Sequence, residues 1–301
     1  MSNASIRMEQ LMLPTYPEPG KEEMPLFSEH RVHQRSTGRP YPNKVTLEVN
    51  RERKIERSYT VVHLENEYLD VLILPEIGGR IFAARDKVTG YDFFYRQHVI
   101  KPGLIGALGS WISGGVEFNW PYHHRPSGFL PCDFETEECG DGSVICWLSE
   151  HDPIDRMKGM VGIVLRPGCA YLETRVKLCN RTPVTKSFLW WENAAVPVNE
   201  SYQIFFPKDV TYVNFHYLDS RISYPIAGDA TFNGIDMTTA RDISWHKNTK
   251  DATSYFACAS QYDFFGGYDH GLDCGVVHIG DHHVSPGKKM FTWAYNQLSK
   301  T

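Results

Sequence analysis

From Val45 onward the chain is built of short apolar or alternating runs of four to eight residues, set apart by Gly, Pro, Asn and Asp. That texture is the signature of strands joined by tight turns. No window of 12 or more residues carries an i, i+3, i+4, i+7 apolar stripe, and the strand–helix rhythm of parallel sheets is missing. The class that remains is all-β, a large antiparallel sandwich. Strands are predicted over 45–49, 59–64, 69–74, 80–84, 144–148, 160–165, 171–178, 185–191, 202–206, 255–260, 275–279 and 290–295. In Tyr171-Leu-Glu-Thr-Arg-Val-Lys-Leu178, alternation puts Leu172, Thr174, Val176 and Leu178 on one face, as in a half-exposed antiparallel strand.

Residues 1–43 read differently. Pro14, Pro17, Pro19, Pro25, Pro40 and Pro42 block a long helix or a central strand. This stretch is expected as an extended arm laid over a domain, or as partly disordered, with 44–301 forming one sandwich domain. A hydrophobic share of 42% and an aromatic share of 13% are enough for a sizeable interior. The formal net charge of −5 offers no basic surplus for phosphates, so nucleic acid is not an expected partner. No stretch is long and apolar enough for a membrane span, and the first residues lack the apolar core of a secretory signal. The expected compartment is the cytoplasm, with no membrane contact. Cys132, Cys139, Cys146, Cys169, Cys179, Cys258 and Cys274 are odd in number and never in CxxC spacing, so they read as reduced packing thiols.

Chemistry-bearing side chains gather in Trp111-Ile-Ser-Gly-Gly-Val-Glu-Phe-Asn-Trp-Pro-Tyr-His-His-Arg-Pro-Ser127. Glu117, Asn119, His123, His124 and Arg125 stand among the rings of Trp111, Trp120 and Tyr122, around a loop fixed by Gly114-Gly115 and two prolines. Rings beside oriented hydrogen-bonding groups suit a sugar, whose C–H faces stack while its hydroxyls are held. A loop packed on a sandwich by its aromatics would show the same residue types. Alternation puts Glu117 and Asn119 on one side of an extended segment and Val116 and Phe118 on the other. By the same argument, one of His123 and His124 faces the pocket, and the other lies in its wall.

Trp190-Trp191-Glu192-Asn193 is a second candidate, with Trp190 and Glu192 on one face and Trp191 and Asn193 on the other. A third is formed by Phe264-Phe-Gly-Gly-Tyr-Asp-His270 and Gly280-Asp-His-His-Val-Ser-Pro-Gly287. Asp281, His282 and His283 are read as cleft-lining hydrogen-bonding groups. Adjacent histidines diverge when they sit on a strand, and HExxH spacing is absent, so no metal and no cofactor is assigned. No G-x-S-x-G elbow is present, and Ile77-Gly-Gly-Arg80 lacks the rest of a phosphate-cradling loop.

Taken together, Asp70-Val-Leu-Ile-Leu-Pro-Glu-Ile-Gly-Gly-Arg-Ile81, Val99-Ile-Lys-Pro102, the block at 111–126, Phe188-Leu-Trp-Trp191 and Asp281-His-His-Val-Ser-Pro-Gly-Lys-Lys289 resemble the bacterial DUF5107 family. The resemblance implies a galactose-mutarotase-like supersandwich whose concave face binds a carbohydrate. That superfamily holds aldose 1-epimerases, hexose-phosphate epimerases, polysaccharide lyases and glycoside hydrolase domains, so the fold alone names no reaction. This sequence departs from the mutarotase pattern in two places and from the DUF5107 family in a third. Ala194 follows Asn193 where a second histidine would stand, no late catalytic Glu is matched, and Glu192 occupies a position where the family carries Ala. The chain is also expected to stop before the last strands of the family's longer members, which would leave a sheet edge open to a homodimer.

The resulting expectation is a protein that binds a mono- or oligosaccharide and acts on an anomeric centre. Glu117 is the expected base and His123 or His124 the acid. Trp111, Asn119, Trp120, Arg125, Glu192, Asn193, Asp281, His282 and His283 are the expected substrate contacts. A glycosidase would instead pair Glu117 with Glu192 or Asp281, and a non-catalytic sugar-binding domain would need neither.

Overall fold

The computed structural model describes residues 3–17, 49–104, 110–121, 124, 128–152, 156–215, 221–227, 231–232, 235–236, 241–249 and 252–292. The chain divides into two compact units, Met1–Val196 and Pro197–Thr301. Among the described residues, helical structure is confined to the short 3-10 turns Pro75–Ile77 and His246–Asn248, and every strand ladder is antiparallel, so the class is all-β.

The first unit holds two large sheets. One has the strand order Ser5–Thr15, Ile55–Glu65, Leu69–Leu74, Arg80–Asp86, Val116–Asn119 and Trp191–Ala194. The other runs Leu172–Asn180, Met157–Leu165, Val144–His151 and Asp133–Glu138. Strands rich in Val, Ile and Leu fill the interior: Val62, Leu64, Val71, Ile73, Ile81, Val116, Ile145, Val161 and Ile163 are all buried. The two sheets meet where the Trp120 indole lies on Gly159, a position at which any Cβ would fall 2.1 Å from the ring. Thr174 Oγ1, on the second sheet, donates to Glu192 Oε1 on the first at 2.9 Å. The Phe118–Glu192 side of the first sheet therefore faces its partner sheet.

The first residues are more ordered than their proline content suggests. Ser5–Thr15 pairs along its whole length with Ile55–Glu65. It lies at the sheet edge, where the N–H that Pro14 lacks is not needed for a second ladder. Residues 18–43 of the expected arm, and nearly all of the expected strand at 45–49, lie outside the described residues. A second difference concerns 185–191, where the strand begins only at Trp191. The neighbouring strand ends at Asn119 and is followed by Pro121, which has no N–H with which to continue a ladder. A backbone bond from Leu189 N–H to the Pro121 carbonyl at 2.7 Å and the stacking of Trp190 on Phe118 and Trp120 hold the segment there.

The second unit has a three-stranded sheet, Tyr202–Phe205, Phe264–Asp269 and Cys274–Ile279, and a four-stranded sheet, Arg221–Ser223, Tyr212–Phe215, Thr253–Ala257 and Lys288–Thr292. Its core gathers Phe206, Val213, Phe215, Ile222, Tyr224, Tyr255 and Met290.

Candidate functional site

Val116–Asn119 and Trp191–Ala194 pair so that Glu117 stands opposite Asn193 and Asn119 opposite Trp191. Directly opposed residues project to the same face of a sheet. Glu117, Asn119, Trp191 and Asn193 thus share the face turned away from the second sheet. The loop before Val116 reaches this face through Gly114 and Gly115, at φ +90° and +64°. A side chain at Gly115 would meet the Ile81 carbonyl oxygen at 1.9 Å, so only glycine lets the loop enter the sheet this closely. Arg80 ties the loop down from below: its Nη1 donates to the carbonyls of Ile112 and Gly114, both at 2.9 Å.

At the centre is the Glu117 carboxylate, only 5% exposed. His124 Nδ1 lies 3.0 Å from Oε1 and 3.1 Å from Oε2. Oε2 also accepts from Trp111 Nε1 at 3.2 Å and from Asn193 Nδ2 at 3.1 Å. Two indoles flank the imidazole edge-on, Trp111 at 5.9 Å and Trp191 at 4.7 Å between ring centres. Burial by itself drives a carboxyl pKa up. Here the His124 hydrogen bond, the charges of His124 and Arg80, and the Asn193 amide outweigh it and hold Glu117 at about 2, against an ordinary 4.5. Glu117 is therefore a fixed anion at neutral pH and a weak proton acceptor.

Glu117, His124, Trp111, Asn119 and Asn193 are thus brought together from among the residues expected at the site. Trp120 and Glu192 are not. Trp120 is buried between the sheets, stacked on Trp190 at 5.9 Å, and Glu192 points the same way to Thr174. The cause is parity: Glu192 stands opposite Phe118, one residue out of step with Glu117, so a Glu117–Glu192 carboxylate pair has no common pocket. His123 and Arg125 lie outside the described residues. Asp281, His282 and His283 belong to the second unit, in the turn after Cys274–Ile279. Two members of the site were not expected there. Trp191 shares the face of Asn193 by alternation, and Arg80 opens a strand with the apolar residues 81–84 directly after it, where a buried guanidinium calls for a nearby anion.

The family model described as "Domain of unknown function (DUF5107)" matches residues 37–300. This chain belongs to that family. The DUF5107 chain is also similar in fold to a solved structure described as a TPR-domain containing protein from Parabacteroides distasonis. The two are 24% identical, with a TM-score of 0.78 over 97% of this chain and 47% of that one. This chain thus spans about half the length of that relative, and the likeness shows the fold alone.

Proposed function

We propose that the Glu117 face is a carbohydrate site of the galactose-mutarotase-like kind, and that it acts on the anomeric centre of a sugar. The observation that carries this reading is the buried carboxylate bonded to the imidazole of His124, with the indoles of Trp111 and Trp191 on either side. Two rings at an angle, with an amide and an imidazole between them, match a pyranose that offers C–H faces and hydroxyls together.

The pKa of Glu117 moves the proposed base from that residue to His124. In the neutral form of His124, Nδ1–H donated to the carboxylate leaves Nε2 as the acceptor. Nε2 takes the proton from the sugar O1. The C1–O5 bond then breaks as C1=O1 forms, and the same proton returns to O5. Rotation about C1–C2 and reversal of these steps give the other anomer, with no net gain or loss of protons. Glu117 stabilises the imidazolium that forms in between. Asn193 orients hydroxyls.

The experiment is an NMR time course of anomer interconversion for a panel of aldoses, with wild-type protein and with His124→Gln. Acceleration by the wild type and its loss in the variant support the proposal. An acceleration that survives His124→Gln overturns the assignment of the base. The low pKa of Glu117 favours one further reading, a sugar-binding domain without catalysis. Saturable binding with no acceleration by the wild type would establish that reading instead, and no binding across the panel would end both.

A further inference from the structure

We infer that Asp281, His282 and His283 form a surface site for a divalent transition-metal ion, with Asp263 as the carboxylate that orients one of its imidazoles. Consecutive histidines diverge on a strand. Here the segment is a tight turn, closed by bonds from Val284 N–H and Ser285 N–H to the Asp281 carbonyl at 3.1 and 2.9 Å. The turn folds the two imidazoles against each other, with ring centres 3.9 Å apart.

Each ring is held in the same way. Asp263 Oδ1 accepts both the backbone N–H and Nδ1 of His282, at 2.9 and 2.8 Å. Asp281 Oδ1 accepts both the backbone N–H and Nδ1 of His283, at 2.8 and 2.9 Å. At His282 the Asp263 carboxylate fixes the tautomer that leaves Nε2 as the metal-binding nitrogen, whereas at His283 an ion shared with Asp281 takes the place of the proton between Nδ1 and the carboxylate. Asp281, His282 and His283 offer one ligand atom each, and these atoms lie within 4.8 Å of one another. An ion ~2.0–2.1 Å from each would draw them to about 3.3 Å in a tetrahedral arrangement. That is a small rotation for side chains as open as His283 and Asp281, which are 79% and 62% exposed.

Asp263 and Asp281 bring two carboxylates to the pair of imidazoles. Lys288 bears on Asp263 and opposes a cation there, so the site rests on Asp281 and the two rings. Two nitrogen donors select Zn²⁺, Ni²⁺ or Cu²⁺ over Ca²⁺ and Mg²⁺, which prefer oxygen alone. Three protein ligands leave a fourth position for water or a partner's side chain.

The test is calorimetric titration of the full chain with Ni²⁺, which favours imidazole over the chain's free thiols. The readouts are the affinity and, by NMR, which imidazole signals broaden first. The expected result is one equivalent bound, with the His282 and His283 signals lost first and the affinity falling at least ~10-fold in either His282→Gln or His283→Gln. Asp263→Asn weakens binding by about 10-fold without removing a ligand, and His151→Gln in the first unit changes nothing. Absence of Ni²⁺ binding by the wild type, or an unchanged affinity in both histidine variants, overturns the inference.

Discussion

Replacing Glu117 by Gln is the perturbation whose size follows most directly from the structure. The side chain is sterically conserved, but the fixed anion that accepts from His124, Trp111 and Asn193 becomes a neutral amide, half of which is itself a donor. The drop in the Glu117 pKa from 4.5 to about 2 corresponds to ~3 kcal/mol of stability at neutral pH, at ~1.36 kcal/mol for each pH unit. The folded-state pKa is the lower one. The stabilisation is therefore complete above about pH 5 and is lost as the pH falls from the unfolded-state value towards the folded-state one, with ~2 kcal/mol gone by about pH 3. The side chain is almost wholly buried, so solvent screening removes little of this. Glu117→Gln should accordingly be ~3 kcal/mol less stable than wild type at about pH 7, and the gap should narrow to ~1 kcal/mol at about pH 3. Urea unfolding followed by tryptophan fluorescence reads this, because Trp111 and Trp191 belong to the site. A variant as stable as wild type at neutral pH, or a gap that does not change with pH, would refute the charge-centred account of this pocket.

Other perturbations probe the frame around it. Gly115→Ala places a Cβ against the Ile81 carbonyl at a left-handed φ of +64° and should cost at least ~2 kcal/mol in the unfolding midpoint. Glu192→Gln lies on the face turned to the second sheet. It should lower stability by no more than ~1 kcal/mol and leave sugar binding in titrations unchanged. The Cys146 thiol is pushed up to about 12 by burial and by the neighbouring Cys132. At about pH 8 it should escape iodoacetamide in the folded protein while Cys179 and Cys258, which are exposed, are alkylated, as mass spectrometry of the digest will show.

Period-2 patterning was enough to locate most central strands, because Leu69–Leu74 and Val144–His151 bury their apolar residues as the pattern requires. It also put Glu117 and Asn119 on one side. Exposed Asp133–Glu138 and the glycine-containing Phe264–Asp269 carry too little apolar alternation to be recognised, although both form full ladders. The site itself was only half readable. Glu117 and Asn193 are 76 positions apart, and their hydrogen bond depends on a ladder register that no local pattern reveals. Glu192 shows the same limit in reverse. It adjoins Asn193 in sequence, but the pleat sends it to the opposite face. His282 and His283 lie in the loop expected for them, but that a tight turn would stack their rings on each other was not legible in the local pattern.

A crystal structure of the chain with the tightest-binding sugar of the panel tests the central claim most directly. The account predicts a pyranose on the outer face of the six-stranded sheet, in contact with Trp111 and Trp191, with its O1 within hydrogen-bonding distance of His124 Nε2 and Glu117 behind the imidazole rather than on the sugar. A sugar bound elsewhere, with the Glu117–His124 pair untouched, would contradict it.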